Sequence, residues 1–86
     1  MTIQQQSVMV VLVVQEHNMD NKLIYTVKEV SEIIHTNPTY VYQLINAGLL
    51  PALKLGSYKV RHEALINFLQ QSEGKDLTNP FNVVSL

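Results

Sequence analysis

The chain has 86 residues, 47% hydrophobic and 15% charged, which suits one small packed core and excludes both a multidomain enzyme and a disordered charged tail. Six Lys and Arg against seven Asp and Glu leave a net charge of −1, which does not advertise a polyanionic partner, so charge placement must decide that question. The absence of cysteine excludes disulfides, thiolate zinc ligands and a cysteine nucleophile.

Residues 1–23 read as an N-terminal extension built around the apolar run Val8–Val14. That run is far shorter than the roughly 20 residues a membrane helix needs. No Lys or Arg precedes it, as one would in a signal peptide, so a cytoplasmic protein with no membrane contact is expected. The run is rich in β-branched residues and lacks Gly and Pro, which predicts an extended strand. Cover for such a strand comes from its own domain or from the same strand of a second copy, which would make a homodimer. Met9 and Met19 are alternative starts, so the first 18 residues can also be an extension outside the working domain.

Thr26 followed by Glu29 is a capping box, and it predicts a helix carrying Val27, Val30, Ile33 and Ile34 on its inward side. His35 and Thr36 form a short break. Asn37 suits an N-cap and Pro38 the first helical position, opening a second helix that runs to Ala47 with Gly48 behind it. Val41, Leu44 and Ile45 face inward. Thr39, Gln43 and Asn46 fall on the opposite face, flanked by Tyr40 and Tyr42.

Two short helices joined by a tight turn are a helix-turn-helix. Alternation from Pro51 to Arg61 about Gly56-Ser57 then predicts a two-residue hairpin turn. This register sets Lys54 opposite Lys59, Leu53 opposite Val60, and all of Lys54, Lys59 and Arg61 on one face. Opposed like charges are unfavourable, and a bound polyanion would relieve them. A last helix over 62–71 is expected to bury Leu65, Phe68 and Leu69. The fold class is therefore mainly α with a small β-hairpin: 24–71 form the domain, and 72–86 a C-terminal tail broken by Asn79-Pro80.

The ordered segments Tyr25-Thr-Val-Lys-Glu-Val, Tyr40-Val-Tyr-Gln-Leu-Ile-Asn-Ala-Gly-Leu-Leu-Pro-Ala, Lys54-Leu-Gly-Ser-Tyr-Lys-Val-Arg and Glu63-Ala-Leu closely resemble the excisionase family of small winged helix-turn-helix proteins, relatives of the MerR DNA-binding domain. The resemblance covers about residues 24 to 71. It implies a second helix in the major groove, a hairpin wing on phosphates or the minor groove, and a recombination directionality factor or repressor of a phage or mobile element, with an integrase as a further partner. Three departures stand out. His35 occupies a turn position where family members often have Gly, Gln43 and Asn46 stand where Arg is frequent, and both chain ends lie outside the family core.

In that context Thr39, Gln43 and Asn46 are the base-reading candidates. Gln and Asn pair bidentately with adenine and the Thr methyl packs on thymine, which implies an A/T-rich double-stranded DNA site. With no charge on the helix, cooperative assembly on DNA becomes more necessary. Lys54, Ser57, Lys59 and Arg61 on the wing, Lys28 on the first helix, and Tyr40 and Tyr42 are the phosphate candidates. Each has a plainer alternative as solvated surface, or for Tyr42 as packing at the core edge. His17, His35 and His62 lie too far apart for a local metal motif, and Ser31, Ser57 and the carboxylates show no nucleophile–base spacing. No cofactor, metal or enzymatic activity is expected. Of the apolar tail residues, Phe81, Val83, Val84 and Leu86 either dock on an integrase or neighbouring protomer or belong to a loose terminus.

Overall fold

The computed structural model describes residues 22–86. The Val8–Val14 run with its strand and pairing alternatives, and the alternative starts at Met9 and Met19, lie outside the described residues. The described chain runs β1 (Ile24–Thr26), α1 (Val27–Ile33), α2 (Pro38–Asn46), β2 (Leu53–Leu55), β3 (Ser57–Arg61), α3 (His62–Ser72), β4 (Lys75–Asp76) and β5 (Val84–Ser85). It is a winged helix-turn-helix: α1 and α2 form the helical pair, β2 and β3 the wing, and α3 returns to the core.

Helix α1 starts where the capping box predicts. Thr26 is extended, its Oγ1 accepts the Glu29 N–H at 3.1 Å, and Glu29 Oε1 accepts the Thr26 N–H at 2.9 Å. Lys22 also pairs with Glu29 and is the chief reason its carboxyl lies below its ordinary pKa of 4.5. Val27, Val30 and Ser31 are buried, and the Ser31 hydroxyl is satisfied by donating to the Lys28 carbonyl at 2.7 Å. Ile33 does not join the inward stripe and is 45% exposed. Burial of Ser31 rotates the stripe to Val27, Val30, Ser31 and Ile34, which leaves Ile33 more than a right angle away.

The two helices end alike. Beyond α1, the N–H groups of His35 and Thr36 bond to the carbonyls of Glu32 and Ser31 at 3.3 and 2.8 Å. Beyond α2, those of Gly48 and Leu49 bond to Ile45 and Leu44, both at 3.0 Å. Both are Schellman motifs, and each needs one left-handed residue. In α2 it is Gly48 at φ 80°, whereas in α1 it is His35 at φ 60°, a backbone bend taken with a side chain attached.

Val27, Val30, Val41, Leu44, Leu50, Val60, Leu65 and Phe68 form the core between these elements. Leu69 lies outside it, 41% exposed, because Ala64 and Phe68 turn the inward side of α3 away from it. An antiparallel sheet in the order β1-β3-β2 closes the domain, with Tyr25 opposite Val60 and Thr26 opposite Lys59.

The tail is an ordered hairpin rather than a loose terminus. After Gly74 the strands β4 and β5 pair Lys75 with Ser85 and Asp76 with Val84, and the Leu86 N–H reaches the Gly74 carbonyl at 2.9 Å. Its loop is held by two carboxyl or amide turns: Asp76 Oδ1 accepts the Thr78 N–H and hydroxyl at 2.9 and 2.6 Å, and Asn79 Oδ1 accepts the Phe81 N–H at 3.0 Å. Pro80 is buried and Leu77 packs on the core, while Phe81, Val84 and Leu86 remain exposed.

Candidate nucleic-acid interface

Helix α2 presents its candidate residues together. Asn37 caps it, with Oδ1 accepting the Tyr40 N–H at 2.9 Å, and Pro38 occupies its first turn. Val41 and Leu44 anchor it in the core, which turns Thr39, Gln43 and Asn46 outward, all three exposed. The helix carries no acidic or basic side chain. Its face therefore offers amide and hydroxyl hydrogen bonds of the kind that reads base edges, without bulk charge.

The wing departs from the expected register by one residue. Leu53 pairs with Lys59, Lys54 with Tyr58 and Leu55 with Ser57, so Gly56 alone makes the turn, at φ 83°. A one-residue slip exchanges the faces of one strand relative to the other. The expected opposition of Lys54 and Lys59 is thus absent, and the three cations do not share a face. Lys59 and Arg61 lie with Leu53, Leu55 and Ser57 on the outer side, whereas Lys54 lies with Tyr58 and Val60 on the side turned to the core.

That correction places Lys54 next to the helix pair. Its ammonium sits 4.9 Å from the centroid of the Tyr58 ring, which in turn meets Tyr42 of α2 edge-on at 6.1 Å. Tyr42 is 41% exposed, at the margin of the core. Lys59 curls over the wing tip, donating to Ser57 Oγ at 2.9 Å and to the Leu55 carbonyl at 3.5 Å. Arg61, at the wing root, pairs with Glu63 at 3.1 Å, a surface contact between two exposed side chains. Lys28 is exposed on α1.

Tyr40 stands on the other flank of α2, and its hydroxyl donates to the Leu77 carbonyl of the tail. Burial, and secondarily the charge of Asp76, raise its pKa above 10.0. The proton offered to a phosphate in the sequence reading is thus already shared with the tail. Asp76 itself is held below its ordinary pKa of 3.8 by the Thr78 hydrogen bonds. Among the described residues no three His, Asp or Glu side chains converge on a metal site, and no helix is long and apolar enough to cross a membrane.

Sequence reasoning missed Tyr58 as the link between wing and helix, and the tail as a neighbour of α2. The Arg61–Glu63 pair was visible as an Arg-x-Glu spacing. The Tyr40–Leu77 contact joins residues 37 apart and carries no local signal.

Residues 24–73, more than half of the chain, match the family described as Helix-turn-helix domain. Comparison with curated proteins and with solved structures yields no match. The matched segment ends just before β4.

Proposed function

The chain belongs to the helix-turn-helix domain family, which supports binding to double-stranded DNA, and on that premise we propose that it reads sequence by placing α2 in the major groove. The observation that carries this reading is the common exposure of Thr39, Gln43 and Asn46 opposite the buried Val41 and Leu44. Two of those three side chains match adenine, so the preferred site is A/T-rich. Lys54, beside Tyr58 and Tyr42, and Lys59 with Ser57 at the wing tip, supply phosphate contacts. Arg61 and Lys28 extend this positive fringe. No catalytic step is assigned, and no cofactor.

Within that function, the role is that of an excisionase-like architectural factor of a phage or mobile element, acting with an integrase. The support is the resemblance of residues 24–71 to that family. A small transcriptional regulator of such an element is the neighbouring reading. Cooperative or dimeric binding suits a reading helix that has no charge of its own. The net charge of −1 favours a third reading, a protein-interaction adaptor that retains the fold but has little affinity for DNA.

Selection from randomised duplexes, followed by binding to the recovered site across a salt series, tests the proposal. A recovered A/T-rich motif and a steep loss of affinity with salt are expected. Recovery of no motif, with affinity insensitive to salt, leaves the adaptor reading in its place.

A further inference from the structure

The tail hairpin lies outside the family match and is not used by the reading above. It occupies the flank of α2 that the wing does not. At roughly 100° per residue, Tyr40 and Tyr42 leave the helix about 160° apart, one on each side of the Thr39, Gln43 and Asn46 stripe. Tyr42 meets the wing through Tyr58, and Tyr40 holds the tail through the Leu77 carbonyl. The outward stripe therefore lies between a residue that meets one β-hairpin and a residue that holds the other.

The tail hairpin carries donors suited to a backbone contact. An open cleft of about 530 Å³ separates it from the start of α2, lined by Thr36, Asn37, Lys75 and Thr78 among others. Lys75 is exposed, and among the described residues it enters no ion pair. Its position is set by the ladder to Ser85. Thr36 and Asn37 are exposed at the same cleft, and Asn37 uses only its Oδ1 for the cap, so its amide N–H groups point to no helical partner. Two carboxylates adjoin the cleft: that of Asp76, which accepts both Thr78 hydrogen bonds within its own loop, and that of Leu86, the last residue of the sequence. A cation flanked by hydroxyl and amide donors suits a phosphodiester.

We infer that the C-terminal hairpin is a second wing, with Lys75 contacting the DNA backbone on the side of α2 opposite to Lys54. This rests on the reading that α2 lies in the groove. Tyr40 is the positioning residue of this wing, because its hydroxyl ties β4 and its loop to the reading helix.

The test is the salt dependence of binding of the full chain to a random-sequence duplex, for wild type, Lys54→Ala, Lys75→Ala and Tyr40→Phe, with thermal unfolding to establish that each variant folds. Lys54→Ala and Lys75→Ala should each lower the slope of log K against log salt by about one unit, since one phosphate contributes about 0.9. Tyr40→Phe keeps the ring but removes the tie, and it should reproduce much of the Lys75→Ala loss. Combining Tyr40→Phe with Lys75→Ala should add little beyond Lys75→Ala. A slope reduced by Lys54→Ala but unchanged by Lys75→Ala overturns the second wing and leaves DNA binding standing. A wild-type protein without salt-dependent duplex affinity overturns both.

Discussion

The rings of Tyr42 and Tyr58 meet edge-on at 6.1 Å, and this contact ties the wing to the helix that carries the candidate reading face. Such a pair contributes about 0.5–1.5 kcal/mol beyond burial. A double-mutant cycle of Tyr42→Ala and Tyr58→Ala, followed by urea unfolding, should recover a coupling in that range. DNA affinity in the two single variants should fall together, because either loses the angle between wing and helix. Additive effects on stability would mean that the rings are neighbours without being coupled.

Gln43 lies mid-stripe, between Thr39 and Asn46. Gln43→Ala preserves helix propensity and should leave the unfolding midpoint essentially unchanged. It should remove roughly 1–3 kcal/mol of discrimination at one base pair, with little effect on unrelated DNA. Gln43→Arg should raise non-specific affinity and shift preference towards guanine. Identical motifs from wild type and Gln43→Ala in a duplex selection would take α2 out of the groove.

His35 holds a left-handed backbone at φ 60° in the motif where Gly48 serves α2. A side chain there costs roughly 1–2 kcal/mol, and the extra freedom of unfolded glycine returns about 0.5–1 of it. His35→Gly should therefore stabilise the fold by about 0.5–1 kcal/mol, seen as a midpoint a few degrees higher. His35→Val, with its branched Cβ, should destabilise it. A lower midpoint for His35→Gly would show that the imidazole contributes a contact outweighing the strain.

The α1 cap titrates. Lys22 first, and the Thr26 N–H next, hold the Glu29 carboxyl below its ordinary 4.5, so the ionised form is preferred in the folded chain. Its contribution is present above the unfolded pKa and is lost as pH falls through the folded one. Glu29→Gln can still accept from Thr26 but does not titrate. The stability difference between wild type and Glu29→Gln should thus be constant near neutrality and shrink as pH drops below 4.5, followed by thermal unfolding. Parallel curves down to the acid limit would contradict the ion pair and cap together.

What could be read before folding was what neighbours in the chain decide. Thr26 with Glu29, and Asn37 with Pro38, each complete their hydrogen bonds within a few residues, so both helix starts are legible. The outward stripe of α2 follows from the same periodicity. The wing register was not legible, because the alternation favours a two-residue turn that separates apolar residues from cations, whereas the observed one-residue turn at Gly56 sets Leu53 and Leu55 beside Lys59 and Arg61. Ile33 and Leu69 look like core residues by spacing, and only the packing of Ser31, Ala64 and Phe68 turns them out. Tyr58 against Tyr42, and Tyr40 against Leu77, are tertiary contacts that a reading of local pattern cannot place.

Thr26 is at once the last residue of β1, opposite Lys59, and the N-cap of α1. The pairing closes a loop of more than thirty residues that contains both helices of the helix-turn-helix and the wing turn. Closure of such a loop is entropically cheaper once the enclosed helices have condensed, so helices and hairpin are expected to form before β1 docks as the fastening strand. Its removal should release the helix pair and the wing in a single step, and a fragment ending before β3 has no partner strand with which to begin. The domain is thus one folding unit whose latch sits at β1.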